Sequence, residues 1–135
     1  MRRLLPPFSA AVLLALSACG RKADAKTQVS ELKNVFETAA AATSVQNERP
    51  ASAQALLAEA NAYVSLALSA VRTNDYAGGV IALQAVQKMP GITSQQLMAL
   101  EGAMQAMTAE LLVRASKGDA KARSDLAAIE RTHSQ

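Results

Sequence analysis

Val71-Arg72-Thr73-Asn74-Asp75-Tyr76-Ala77-Gly78-Gly79-Val80 joins two runs of helical spacing across three residues that break it. Before the break, Leu57, Ala60, Val64, Ala67 and Val71 recur at steps of three and four. That spacing is one face of a helix, predicted from Ala53 to about Arg72, with Leu56, Tyr63 and Leu68 widening the stripe and Ser52 as its N-cap. After the break, Tyr76, Val80, Leu83 and Val86 predict a second helix as far as Lys88. Asn and Asp offer the backbone a local hydrogen-bond partner outside the helix, so Thr73-Asn74-Asp75 ends the first run. Asn74 or Asp75 then caps the second. Gly78 and Gly79 lie inside that second helix. Each costs about 1 kcal/mol relative to Ala there, which points to close approach by a neighbouring helix.

Downstream, Met89-Pro90-Gly91 closes the second run, and the next start is the best marked in the chain. Thr93 and Gln96 form a capping-box pair, with Ile92 and Leu97 placed as a hydrophobic staple. Leu97, Leu100, Met104, Met107 and Leu111 predict a helix from Ser94 to about Ser116. Met98, Leu112 and Val113 add apolar surface outside that stripe. Lys117-Gly118 suits a helix end, since a cation meets the last carbonyls and Gly takes positive φ. Asp119 caps a final helix to about Arg131, with Ala122, Leu126 and Ile129 inward and residues 132–135 fraying.

Upstream, Val29, Leu32, Phe36 and Ala39 predict a helix over residues 28–42, with Lys33 and Glu37 spaced for a weak pair. A polar linker follows and ends at Pro50, which disfavours helix just before it. Apolar residues are Ala and Leu rather than β-branched residues in alternation, so no stretch reads as a strand. The fold class is all-α: a small up-and-down bundle of four to five helices. The expected divisions are a helical domain at 51–135, an N-terminal helix and linker at 28–50 that packs less firmly, and a tether at 19–27.

The central pair resembles a single tetratricopeptide-type hairpin. Tyr63, Leu66, Ala67 and Ala70 fit its first helix, Asn74-Asp75-Tyr76 its turn, and Gly79, Leu83 and Val86 its second helix. Ala67 and Gly79 are the small pair that lets the two backbones approach.

The N-terminus carries a different signal. Arg2 and Arg3 precede Pro6-Pro7 and a run from Phe8 to Ala18, apolar or small throughout. That run is shorter than the roughly 20 residues a bilayer-spanning helix needs. A charged start, a short apolar core and small residues at its end describe a secretory signal peptide, residues 1–18, expected to be helical. Leu16-Ser17-Ala18-Cys19 resembles the lipobox of bacterial lipoproteins. The resemblance implies recognition of Leu16, Ser17 and Ala18 by the signal peptidase, cleavage before Cys19 and lipidation of its thiol. Gly20 departs from the Asp associated with inner-membrane retention, so the resemblance implies an outer-membrane anchor facing the periplasm in a Gram-negative cell. Arg21, Lys22 and Lys26 either rest on anionic head groups or belong to a solvated tether.

Cleavage changes the charge argument. The full chain has 14 basic and 11 acidic side chains and a net charge of +3. Without Arg2 and Arg3 the balance falls to +1, and no clustered basic face suggests nucleic acid. Cys19 is the single cysteine, so lipidation leaves no thiol nucleophile, disulfide or cysteine metal site. His133, the one histidine, lies near the C-terminus. The pairs Glu101 and Glu110, and Asp119 and Asp125, do not fall at adjacent helical positions, and solvated faces explain them. No cofactor or metal is expected, and an enzyme is disfavoured. The expected role is an interaction module that binds another envelope protein through the central hairpin, near Tyr63 and Tyr76. A self-associating structural lipoprotein, joined through the stripes of the second and fourth helices, is the alternative. A carrier of lipid or another small molecule requires an apolar cavity, and Ala-rich helices favour close packing instead.

Overall fold

The computed structural model describes residues 24–44 and 50–134. The leader, Leu16, Ser17, Ala18, Cys19 and the tether as far as Ala23 lie outside the described residues. Five helices follow in order: α1 (Ala25–Ser44), α2 (Ala51–Arg72), α3 (Tyr76–Gln87), α4 (Ser94–Ser116) and α5 (Ala120–His133). Among the described residues there is no strand, as the sequence predicts.

Helices α1 to α4 close a ring in which each packs on its neighbours in sequence and α1 returns to α4. The N-terminus of α1 lies beside Gly102–Val113 on α4, so those two helices run antiparallel. Helix α5 lies outside the ring, over α3 and α4. The core runs through all five. Val29, Leu32, Phe36, Val64, Val71, Leu83, Val86, Leu100, Met107 and Leu111 are each at most 1% exposed.

This arrangement corrects the expectation for α1. It is no loosely held preface to a domain beginning at residue 51. Val29, Leu32 and Phe36 are among its most deeply buried side chains. The helix also starts at Ala25, so the last residues assigned to a tether are helical. The carbonyl of Asp24 accepts from the Gln28 amide at 3.0 Å and opens the first turn. Helix α2 likewise starts before the expected Ser52. Pro50 stands at the N-cap without a side-chain cap, its carbonyl accepting from the Ala53 amide at 2.9 Å.

The turns repeat one device. At the end of α2, Asn74 takes φ 60°. The Asp75 amide then reaches the Ala70 carbonyl at 2.8 Å, and the Asn74 amide reaches Val71 at 3.2 Å. At the end of α4, Gly118 takes φ 93°. The Asp119 amide reaches Arg114, and the Gly118 amide reaches Ala115, each at 3.1 Å. Both are Schellman closures, which satisfy the last carbonyls of a helix. In both, the next residue is an Asp that caps the following helix. Asp75 accepts from the Gly78 amide at 3.1 Å, and Asp119 accepts from Lys121 and Ala122.

Helix α3 is buried on most sides, as a helix with neighbours all round should be. A Cβ placed on Gly79 falls 2.7 Å from Met107 Sδ and 3.6 Å from the Ala67 carbonyl oxygen. Gly79 therefore marks where α2, α3 and α4 meet, with Ala67 as one of its neighbours.

Helix α4 has the expected bounds and the full capping box. Thr93 Oγ1 accepts from the Gln96 amide at 3.2 Å, and Gln96 Oε1 accepts from the Thr93 amide at 2.9 Å. Its buried line is Gln96, Leu100, Ala103, Met107 and Leu111. Leu97 and Met104, expected in the core, are half-buried. The helix faces the corner between α1 and α3, and small Ala103 rather than Met104 occupies that corner.

The C-terminal residues do not all fray. Helix α5 continues to His133, and the Thr132 hydroxyl lies 2.8 Å from Gln84 Oε1 on α3. Only Ala122 of α5 is fully buried, with Leu126 and Ile129 packed at the edge of the core.

Candidate functional site

The two tyrosines part company. Tyr63 is half-buried against the core, while Tyr76 is only 5% exposed. Tyr76 opens α3 at the hairpin turn, where its ring is covered by the Arg114 guanidinium at 4.8 Å from the centroid. Its hydroxyl is 3.4 Å from Asn74 Oδ1. Arg114 Nε is also 3.4 Å from Glu110 Oε1. The ring thus fastens α4 to the α2–α3 turn through a cation–π contact. A side chain enclosed in this way offers a partner little surface, so Tyr76 is removed from the candidate docking face. The apolar surface of the hairpin is instead Leu66, 56% exposed, and Ile81, 37% exposed.

A large concavity lies elsewhere, between α4 and the C-terminal half of α5, with α3 beneath. It is an open groove of about 860 Å³. Val80 and Gln84 of α3 form the floor with Met104 and Ile129. Leu112 rises from α4 as an apolar wall, 55% exposed. Glu101, Gln105, Glu130 and His133 complete the rim. The groove exists because α5 is short and contributes half-buried rather than deeply inserted side chains. It covers the α3–α4 seam without filling it.

Sequence reasoning had these residues in view but apart. Leu112 stands outside the inward stripe, Glu101 reads as a solvated carboxylate, and His133 belongs to the terminus. Only the placement of α5 across α3 and α4 brings them to one trough. The other expected carboxylates are taken up structurally. Asp119 caps α5, Glu110 meets Arg114, and Asp125 Oδ2 meets Lys121 Nζ at 2.6 Å. That hydrogen bond, with the charge of Asp125 behind it, holds the Lys121 ammonium pKa above its ordinary value.

Among the described residues no group of three or more His, Cys, Asp or Glu side chains is arranged to hold a metal ion. No described helix is long and apolar enough to cross a membrane. Chemically, the groove offers apolar contact, amide hydrogen bonding and two exposed carboxylates. Those are the means of a binding surface. Comparison with protein-family models, curated proteins and solved structures finds no match.

Proposed function

We propose that this chain is a lipid-anchored lipoprotein of the bacterial envelope whose helical domain serves as a protein-interaction module. The anchor rests on the order of signals in the leader: Arg2-Arg3, a short apolar core, then Leu16-Ser17-Ala18-Cys19. The interaction role rests on one structural observation. Leu112, one of three exposed apolar residues of α4 with Met98 and Val113, stands 55% exposed and is the one of them that lines the open groove. Apolar surface rimmed by polar residues is the kind that marks interaction sites, and here Leu112, Met104 and Ile129 lie within a rim of Glu101, Gln105, Glu130 and His133. The groove replaces the Tyr76 side of the hairpin as the favoured face.

The stretch between Cys19 and Ala25 spans at most about 20 Å when extended. An acyl anchor on Cys19 therefore keeps the N-terminus of α1 close to the bilayer. Self-association through the stripes of α2 and α4 is less favoured. Ala60, Val64, Ala67 and Val71, and Leu100, Met107 and Leu111, are already buried within one chain.

The anchor is tested by Cys19→Ser. Radiolabelled fatty acid should no longer enter the protein, and the chain should leave the membrane fraction. Retention of both label and membrane association in that variant would overturn the anchor. Crosslinking in the intact envelope addresses the module. Adducts containing only copies of this chain would favour self-association instead.

A further inference from the structure

We infer that the groove between α4 and α5 receives an amphipathic helix of a partner polypeptide, laid apolar face down with cationic side chains along its flanks. This deepens the interaction-module reading and rests on it. The first argument is charge. Glu37, Glu110 and Asp125 each meet a Lys or Arg four positions away. Glu101 and Glu130 have no such partner among the described residues, and both stand exposed at the groove. No Lys or Arg lines it, and His133 is its one basic side chain. The trough is therefore apolar along its floor and negative along its edges at neutral pH. Its natural complement carries cations beside an apolar stripe.

The second argument is shape. From Glu101 to Leu112 the α4 wall runs about 16 Å, or three turns of helix. The C-terminal end of α5, from Ile129 to Ser134, faces part of that wall, and the trough is open rather than closed around a small molecule. Apolar residues at i, i+3 or i+4, and i+7 of a docked helix would meet Met104, Ile129 and Leu112. The third argument is a polar fixture in the floor. Gln84 is 8% exposed, and its Oε1 stands by the Thr132 hydroxyl. Gln84 also lines the trough, so its amide is the polar group in the floor closest to an occupant's polar side chain.

A second copy of this chain fits less well. The exposed apolar residues outside α4 are Leu66 and Ile81, and neither has a Lys or Arg within four positions. Val113 does adjoin Arg114, but that guanidinium is held over Tyr76.

The test uses the full chain in mild non-ionic detergent, with detergent alone as the blank. The probe is a fluorescent amphipathic peptide of about four turns. It has Leu at the i, i+3, i+4, i+7 positions and Lys on the flanks; a second peptide carries Glu in place of every Lys. Fluorescence anisotropy should show binding of the Lys peptide only, weakening as salt is added. The double variant Glu101→Lys/Glu130→Lys should weaken it at least tenfold, and so should Leu112→Asp. Leu66→Asp on the far face should leave it unchanged. All substituted positions are exposed, and unchanged circular dichroism melting would show that the fold is intact. Equal binding of the two peptides, indifference to the double charge reversal, or no binding of the Lys peptide would each overturn the proposal. So would light scattering showing a dimer that Leu112→Asp dissolves. None of these readouts depends on lipidation, so failure here leaves the Cys19 experiment to judge the anchor separately.

Discussion

Adjacent glycines in α3 have opposite tolerances. At Gly79 an added Cβ comes within 2.7 Å of Met107 Sδ, inside a core where Met107 is fully buried. Overpacking of that kind costs about 1–3 kcal/mol. At Gly78 the added Cβ meets the Asp75 carboxylate, an exposed group with room to turn outward. Turning outward loses an N-cap bond worth about 1 kcal/mol, and Ala in place of Gly returns about as much through helix propensity. Gly79→Val should therefore lower stability by about 2 kcal/mol in urea unfolding, while Gly78→Ala stays within about 1 kcal/mol of the native chain. Equal losses at the two positions would contradict the packing described here. The sequence marks both glycines as unusual for a helix. The stripe of Tyr76, Val80, Leu83 and Val86 alone does not choose between them, but the expected pairing of Gly79 with Ala67 does, and Gly79 is the one that meets neighbouring helices.

The two Schellman closures, each followed by a capping Asp, place the helix ends. Asn74 at φ 60° is the strained copy, and Gly118 at φ 93° the relaxed one. Asn74→Gly should be neutral or slightly stabilising, whereas Asn74→Val and Gly118→Val should each cost about 1–2 kcal/mol, because a β-branched residue resists the left-handed region. Thermal unfolding followed by circular dichroism measures all three. A harmless Gly118→Val would show that the turn does not need positive φ. These ends were legible in Thr73-Asn74-Asp75 and Lys117-Gly118-Asp119, as was the capping box at Thr93 and Gln96. Their chemistry is local, within a few residues of each boundary. Less was legible where tertiary contacts decide. The burial of α1, the Gln96–Ala103 line in place of Leu97 and Met104, and the tie from Thr132 to Gln84 all depend on which helix lies opposite. The groove belongs with these. Its residues come from three helices, and no spacing along one of them announces it.

For the bundle as a unit, α1 is the discriminating element. Phe36 is 1% exposed and sits in the same cluster as Leu100 and Leu111. Phe36→Ala should cost about 3–5 kcal/mol, a large share of the 5–15 kcal/mol by which small domains are stable. Urea unfolding should show one cooperative transition at a lower midpoint. A loss below about 1 kcal/mol would mean that α1 is the loosely attached helix its long linker suggests. The closure of α1 on α4 also bears on the order of events when the chain is made. The first helix has its far partner near the other end of the sequence, and its two neighbours are separated by α3. Until α4 has emerged, α1 has only α2 to cover it, and Val29, Leu32 and Phe36 keep an uncovered flank. Contacts of such separation along the chain slow folding. Under the export proposed above, such a delay would keep the chain threadable, since α1 has no complete seat until α4 is in place.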